Sequence, residues 1–175
     1  MTVDVATAGY RVLREDAAAI PRLHDIVWVR GTDSIMFLDG LLSQSISSIP
    51  EGRSAPSLLL TPQGKLRATL WVMRGENRVG LVADAGIGEI VLADLTRFKL
   101  RVDVECELEK RPIVDIWGLR SAERLAEAEL VVPVQNGWLD EKGVLVASLE
   151  FSRIELPRFV VVGVDLPSSP RAESS

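Results

Sequence analysis

Apolar and polar residues alternate along much of the chain, and this pattern predicts a protein built largely of β-strands. The tripeptide Pro62-Gln63-Gly64 predicts a tight hairpin turn, because proline presets its φ angle and glycine tolerates the left-handed region. A second turn at residues 75–77 extends this hairpin by a third strand. The predicted strands are residues 25–30, 55–61, 65–74, 78–83, 102–109, 113–117, 130–134, 143–151 and 158–164.

Helical spacing of apolar residues predicts three helices between these strands. The first begins at Thr32, the predicted N-cap. The second carries an apolar stripe over residues 87–98 and has the longest helical pattern in the chain, and the third spans residues 121–129. The apolar positions of the first helix are Ile35, Leu38, Leu41 and Leu42.

Two halves that each combine strands and helices predict an α+β fold with a mainly antiparallel sheet. The 175 residues are the size of one ordinary domain, and folding at that length buries roughly 70% of the surface of the unfolded chain. We expect residues 1–166 to form a single domain. Residues 167–175 are polar and contain proline, so we expect a disordered tail there.

Charge and targeting signals narrow the classes of function. The chain has 20 Lys and Arg against 25 Asp and Glu, a net charge of −5, and it has no basic run. We therefore expect no direct nucleic-acid partner. The N-terminus lacks the features of a secretory signal, and no apolar stretch approaches the ~18 residues that cross a bilayer. We expect a cytoplasmic protein without a membrane partner.

Few residues offer catalytic or metal-binding chemistry. With Cys106 and His24 as the single cysteine and histidine, no zinc or iron–sulfur ligand set is available, so we expect no metal. Cys106 lies in an alternating stretch, which favours an inert core thiol over a reactive one. Gly86 and Gly88 favour the start of a helix over a phosphate loop, because the third glycine of such a loop is missing. The basic residues 97, 99 and 101 either complement the end of a helix or bind an anion.

Four tryptophans stand out among nine aromatic residues. Trp28 and Trp71 both fall on predicted strands of the first half. Two indoles on one face of a sheet could stack on a flat heteroaromatic ligand, or they could pack in the core. Composition favours core packing, and the pattern leaves both interpretations open.

Several separated segments resemble the N-terminal region of the folate-binding aminomethyltransferase superfamily, which includes the glycine-cleavage T-protein and the YgfZ-type proteins. They are residues 29–33 (VRGTD), 37–44 (FLDGLLSQ), 58–65 (LLLTPQGK) and 70–72 (LWV). Residues 95–104 (LTRFKLRVDV) are similar to a helix-to-strand junction of the YgfZ branch. Full-length members continue to a cysteine-bearing signature and a C-terminal β-barrel, which this sequence lacks.

The resemblance implies a folate-binding-like domain and a set of candidate site residues. Positions that line the folate pocket in the family fall on Trp28, Pro56, Thr69 and Trp71. The glycine-cleavage branch has paired aspartates where this chain has Ala68 and Thr69, and one of those aspartates is that branch's essential carboxylate. Neither alanine nor threonine can serve as a charged partner or proton acceptor at neutral pH. We therefore assign no catalytic residue.

These observations lead to two hypotheses about function. In the first, the chain is a YgfZ-like, non-catalytic accessory protein that binds tetrahydrofolate or a derivative and is linked to the maintenance of iron–sulfur enzymes or to tRNA modification. In the second, it is a degenerate scaffold or a truncated fragment that binds no folate and pairs with a protein partner or with a second copy of itself.

Overall fold

A computed structural model describes residues 5–150 and 156–164 of the chain. The helices are α1 Val5–Glu15, α2 Ser34–Asp39, α3 Gly88–Phe98 and α4 Ser121–Glu127. The strands are β1 Ala18–Pro21, β2 His24–Arg30, β3 Ser54–Leu60, β4 Leu66–Arg74, β5 Arg78–Asp84, β6 Glu105–Leu108, β7 Ile113–Trp117, β8 Trp138–Glu141, β9 Val144–Ser148 and β10 Arg158–Val162.

The strands form two five-stranded sheets. The first sheet has the order β3-β4-β5-β2-β6, and the second has the order β1-β7-β10-β9-β8. All pairings between these ten strands are antiparallel. The predicted α+β class and its antiparallel character are therefore confirmed, and the two predicted halves correspond largely to the two sheets.

The two sheets pack face to face, and helices cover their outer faces. Phe37 and Leu38 of α2 and Val91 and Leu95 of α3 pack on the outer face of the first sheet. Leu125 of α4 packs on the outer face of the second sheet. Between the sheets lies an inner core, made of Ile26, Trp28, Met73, Val82, Trp138, Leu145, Ala147, Leu149, Val160 and Val162.

Trp28 is the largest side chain of this inner core, and it is 1% exposed. Its ring centroid lies 6.0 Å from that of Trp138 in the second sheet, at an interplanar angle of 49°. Its Nε1 donates a hydrogen bond to Glu109 Oε2 at 2.9 Å. Gly80 of β5 lies opposite Trp28 and leaves space for the indole. A Cβ at position 80 would lie 2.9 Å from Trp28 Cζ3 and 2.6 Å from Met73 Cε. A side chain at position 80 would therefore displace the indole from the interface.

The structure contradicts the predicted strand at residues 130–134. These residues form no strand, and Val131 is exposed. Pro133 has no N–H to donate to a ladder, and β8 already occupies the edge beside β9. Strand β8 was not predicted, although Lys142 and Gly143, at φ 51° and 85°, form a two-residue hairpin turn between β8 and β9.

Other boundaries also differ from the predictions. Helix α2 begins at Ser34 with Asp33 as its N-cap, so the predicted cap at Thr32 is wrong. The Thr32 hydroxyl instead donates to the Asp103 carboxylate at 3.0 Å. No element was predicted for α1 or β1, and β6 is shorter than the predicted strand at residues 102–109. The predicted tail at residues 167–175 lies outside the described residues.

The Glu109 carboxylate that holds Trp28 makes stability depend on pH. Burial raises the pKa of Glu109, but hydrogen bonds from Arg111 and Trp28 outweigh burial and lower it from 4.5 to about 2. A carboxyl group with a lowered folded pKa stabilises the native state above its unfolded pKa. That stabilisation disappears as the pH falls through the folded value.

We predict that Glu109→Gln lowers the free energy of unfolding by about 2 kcal/mol at pH 7. Denaturant titrations at several pH values should show the difference from wild type shrinking as the pH falls from about 4.5 toward 2. The matched control is Glu123→Gln, which breaks an exposed pair with Arg120 and should cost much less because water screens that pair. Equal losses for both variants would contradict the role of Glu109.

Candidate functional site

A cavity of about 490 Å³ lies on the inner face of the first sheet, beside the inner core. Strand pairing explains why most of its lining residues share one face. Pro56 lies opposite Trp71, and Trp71 lies opposite Val82. In the same way, Leu58 lies opposite Thr69, and His24 lies opposite Asp84. The cavity is lined by His24, Ser43, Pro56, Ser57, Leu58, Thr69, Leu70, Trp71, Val82, Ala83 and Asp84.

Three of the four predicted site residues meet in this cavity. Pro56 and Thr69 are exposed, and Trp71 is half-buried, so a ligand could reach all three. The cavity thus has an apolar floor of proline and tryptophan with a threonine hydroxyl beside it. Such a surface suits a flat ring that stacks on the indole.

The structure does not place Trp28 in the cavity. Trp28 faces the same side of the first sheet as Trp71, one row of residues further along, where Trp138 covers it. Arg78 packs against both of these indoles. Its guanidinium lies 4.8 Å from the Trp28 ring centroid and 5.2 Å from that of Trp138. Arg78 also donates to Asp140 at 2.9 Å. The indole of Trp28 therefore packs in the core.

A buried polar network borders the other end of the cavity, and the sequence analysis did not predict it. His24 Nδ1 lies 2.9 Å from Asp115 Oδ1, and the other Asp115 oxygen accepts a hydrogen bond from Arg158 Nε at 2.6 Å. Asp115 is fully buried, and His24 is 4% exposed. The network joins β2 of the first sheet to β7 and β10 of the second. A lone aspartate inside the apolar strand IVDIW was the signal for it in the sequence.

This network fixes the orientation of the His24 ring. The Asp115 carboxylate accepts from Nδ1, which in the neutral ring makes Nε2 the acceptor nitrogen. Arg158 supplies the positive charge that a fully buried carboxylate requires. His24 thus borders the cavity in a defined orientation, although its partner lies in another sheet.

The two glycines before α3 bind a protein carboxylate. The backbone N–H groups of Gly86 and Gly88 donate to Asp25 Oδ2 at 2.8 and 2.9 Å. A Cβ on Gly88 would lie 2.6 Å from the Asp25 Cβ. These contacts support the helix-start interpretation, because Asp25 takes the position that a phosphate would need.

Other candidate chemistry is sparse. Cys106 is half-buried on β6, and burial raises the pKa of its thiol against the opposing influence of Lys99. A raised pKa favours an inert thiol over a reactive one. Among the described residues, no group of three histidine, cysteine or acidic side chains could hold a metal ion. None of the described helices is long and apolar enough to cross a bilayer.

Comparison with solved structures assigns the fold. The chain is similar to the glycine cleavage system aminomethyltransferase T from Bartonella henselae, with a TM-score of 0.82 and 19% sequence identity. The match covers 89% of this chain and 44% of that chain. The chain has the aminomethyltransferase-like fold. It spans less than half the length of that enzyme, and at this identity the likeness shows the fold alone. No protein-family model and no curated protein matches the chain.

The His24 network generates a stability prediction. Asp115→Asn removes the buried charge that faces Arg158 and should lower the free energy of unfolding by about 3 kcal/mol at pH 7. Asp94→Asn is the matched control, because Asp94 forms a bidentate pair with Arg67 at the surface and should change stability much less. Urea unfolding of both variants checks this. A cost for Asp115→Asn no larger than that of the control would refute it.

Proposed function

We propose that the chain is a non-catalytic binding protein for tetrahydrofolate or a derivative, with the ligand in the cavity of Pro56, Thr69 and Trp71. The observation that carries this proposal is their convergence. The resemblance to the aminomethyltransferase superfamily names four positions of a folate pocket, and three of them line one cavity of this aminomethyltransferase-like fold. The cavity volume, about 490 Å³, lies within the range of about 300–1,000 Å³ that is usual for small-molecule sites.

The same geometry argues against aminomethyl transfer. Where the glycine-cleavage branch has its paired aspartates, Ala68 is buried in the core on the helix-covered face of the first sheet. Only Thr69 faces the cavity, and its hydroxyl stays neutral at physiological pH. The site can therefore bind a folate at this position without the carboxylate that the transfer reaction uses in that branch.

An accessory role of the YgfZ type fits a folate site without that carboxylate. Residues 95–104, which resemble the helix-to-strand junction of the YgfZ branch, form the end of α3 and the approach to β6. In this proposal the chain supports iron–sulfur enzymes or tRNA modification through a bound folate and a protein partner, and it contributes no metal ligands.

The scaffold hypothesis is the second candidate, and two exposed leucines near the cavity favour it. Leu58 is 38% exposed and Leu66 is 59% exposed, and both belong to the outermost hairpin of the first sheet. Exposed apolar side chains on an outer hairpin are a feature of surfaces that pair with another chain. The binding experiment below separates this candidate from the first.

Calorimetric titration with 5-formyltetrahydrofolate tests the proposed function. Wild type should bind stoichiometrically, and Trp71→Ala should weaken binding at least ~10-fold, because it removes the stacking surface. Trp71→Phe should stay within about 3-fold of wild type because it keeps an aromatic face. Tyr10→Ala, which truncates an exposed aromatic residue on α1, should leave binding unchanged. No heat up to millimolar ligand would refute folate binding and favour the scaffold.

A further inference from the structure

The edge strands of the two sheets differ in how their outer sides are covered. An antiparallel bridge between Leu42 and Leu59 covers β3. In the second sheet, β1 ends at Pro21, which has no N–H to donate, and the Trp138 N–H of β8 donates to the Gly52 carbonyl at 3.0 Å. Among the described residues, none hydrogen-bonds to the backbone of β6 on the side away from β2. Strand β6 is therefore an open edge.

The register of β6 against β2 shows which backbone groups point outward. The Glu109 N–H donates to the Ile26 carbonyl at 2.8 Å. Because bonded and non-bonded positions alternate along an antiparallel pair, positions 105, 107 and 109 bond to β2. Cys106 and Leu108 direct their N–H and C=O groups to the other side. These groups are a template for one added strand.

The two faces of this edge differ in chemistry. Glu105 and Glu107 lie on the inner face of the first sheet and are exposed, and Glu107 forms an ion pair with Arg30. Cys106 and Leu108 point to the opposite face, where they are half-buried against the core beneath α3. A strand added to β6 would therefore meet acidic side chains on one face and apolar side chains on the other.

A second copy of the chain does not suit this edge. If Cys106 pairs with its own copy, position 105 lies opposite position 107. If Cys106 pairs with Leu108, position 107 lies opposite itself and position 105 opposite position 109, and if Leu108 pairs with its own copy, position 107 lies opposite position 109. All three positions are glutamates, and like charges directly opposite each other destabilise a strand pair. Opposite charges stabilise one, so this edge favours a basic strand.

We propose that β6 is the docking edge for an extended segment of a partner protein that has Lys or Arg at alternate positions and apolar residues between them. The backbone of this segment hydrogen-bonds to Cys106 and Leu108. Its basic side chains lie opposite Glu105 and Glu107, and its apolar side chains pack beside Cys106 and Leu108. This inference goes beyond the proposed folate binding and does not depend on it.

Titration of the ¹⁵N-labelled chain with the peptide acetyl-KVKVK-amide at pH 7 tests the proposal. The backbone amide signals of Cys106 and Leu108 should shift and saturate, with a Kd of about 0.1–1 mM. The peptide acetyl-KKKVV-amide has the same charge and composition. It should bind at least ~5-fold more weakly, because it cannot place its basic and apolar side chains on opposite faces of a strand.

Two methylated peptides separate strand addition from simple charge attraction. The valines lie opposite Cys106 and Leu108, so their N–H groups donate to β6, whereas the N–H of the lysine between them points away. N-methylation of both valines should abolish the saturable shift. N-methylation of that lysine should change the Kd less than about 3-fold.

A charge reversal tests the acidic face of the edge. Glu105→Lys should weaken binding of acetyl-KVKVK-amide about 5–20-fold, because it puts like charges opposite each other. Glu127→Lys makes the same change of charge at an exposed position of α4 and should stay within about 2-fold of wild type. Absence of a saturable shift at Cys106 and Leu108 would overturn the proposal. Equal binding of the two methylated peptides, or equal losses for the two variants, would overturn it as well.

Discussion

The packing of Trp28 between the two sheets is the contact on which the rest of the structure depends. Trp28 meets Trp138 from the second sheet, Gly80 gives it room, and Glu109 satisfies its N–H group. A buried tryptophan contributes more apolar contact than any other side chain, and its polar atom needs a partner. This contact fixes how far one sheet covers the other.

The candidate site follows from where that coverage ends. Beside the inner core, on the same face of the first sheet, Trp71 is half-buried and Thr69 is exposed. On the same sheet face, the contact between the sheets turns from apolar to polar at His24 and Asp115. One sheet face thus carries the inner core, the Trp71 side chain and the contact of His24 with Asp115. The position of a residue along its strand decides to which of these three its side chain belongs.

Local chemistry allowed much of the first half to be predicted. Turn residues such as Pro62 and Gly64 fix a hairpin over a few positions, and strand alternation then places Trp28 and Trp71 on one face. The segment at residues 130–134 shows the limit of that reasoning. Its apolar β-branched residues have strand propensity, but β8 occupies the edge of the second sheet, and propensity alone does not reveal the absence of a neighbouring strand.

The site was harder to predict because it depends on contacts between distant residues. His24 and Asp115 are 91 positions apart, and nothing near either residue predicts the other. For the same reason, the sequence could not show that Trp138 covers Trp28 while Trp71 is only half-buried. The candidate residues transferred by family resemblance share one strand face, and only the packing of the second sheet separates Trp28 in the core from Pro56, Thr69 and Trp71 in the cavity.

The four tryptophans allow the central claim, a ligand stacked on Trp71, to be tested in one experiment. Two-dimensional ¹H–¹⁵N spectra of the wild-type protein, recorded during titration with 5-formyltetrahydrofolate, resolve each indole N–H as a separate probe. The account predicts a saturating shift of the Trp71 signal, with those of Trp28 and Trp138 nearly unchanged because they lie in the core. Saturating shifts at Trp28 or Trp138 without a shift at Trp71, or no shift at any indole, would contradict it.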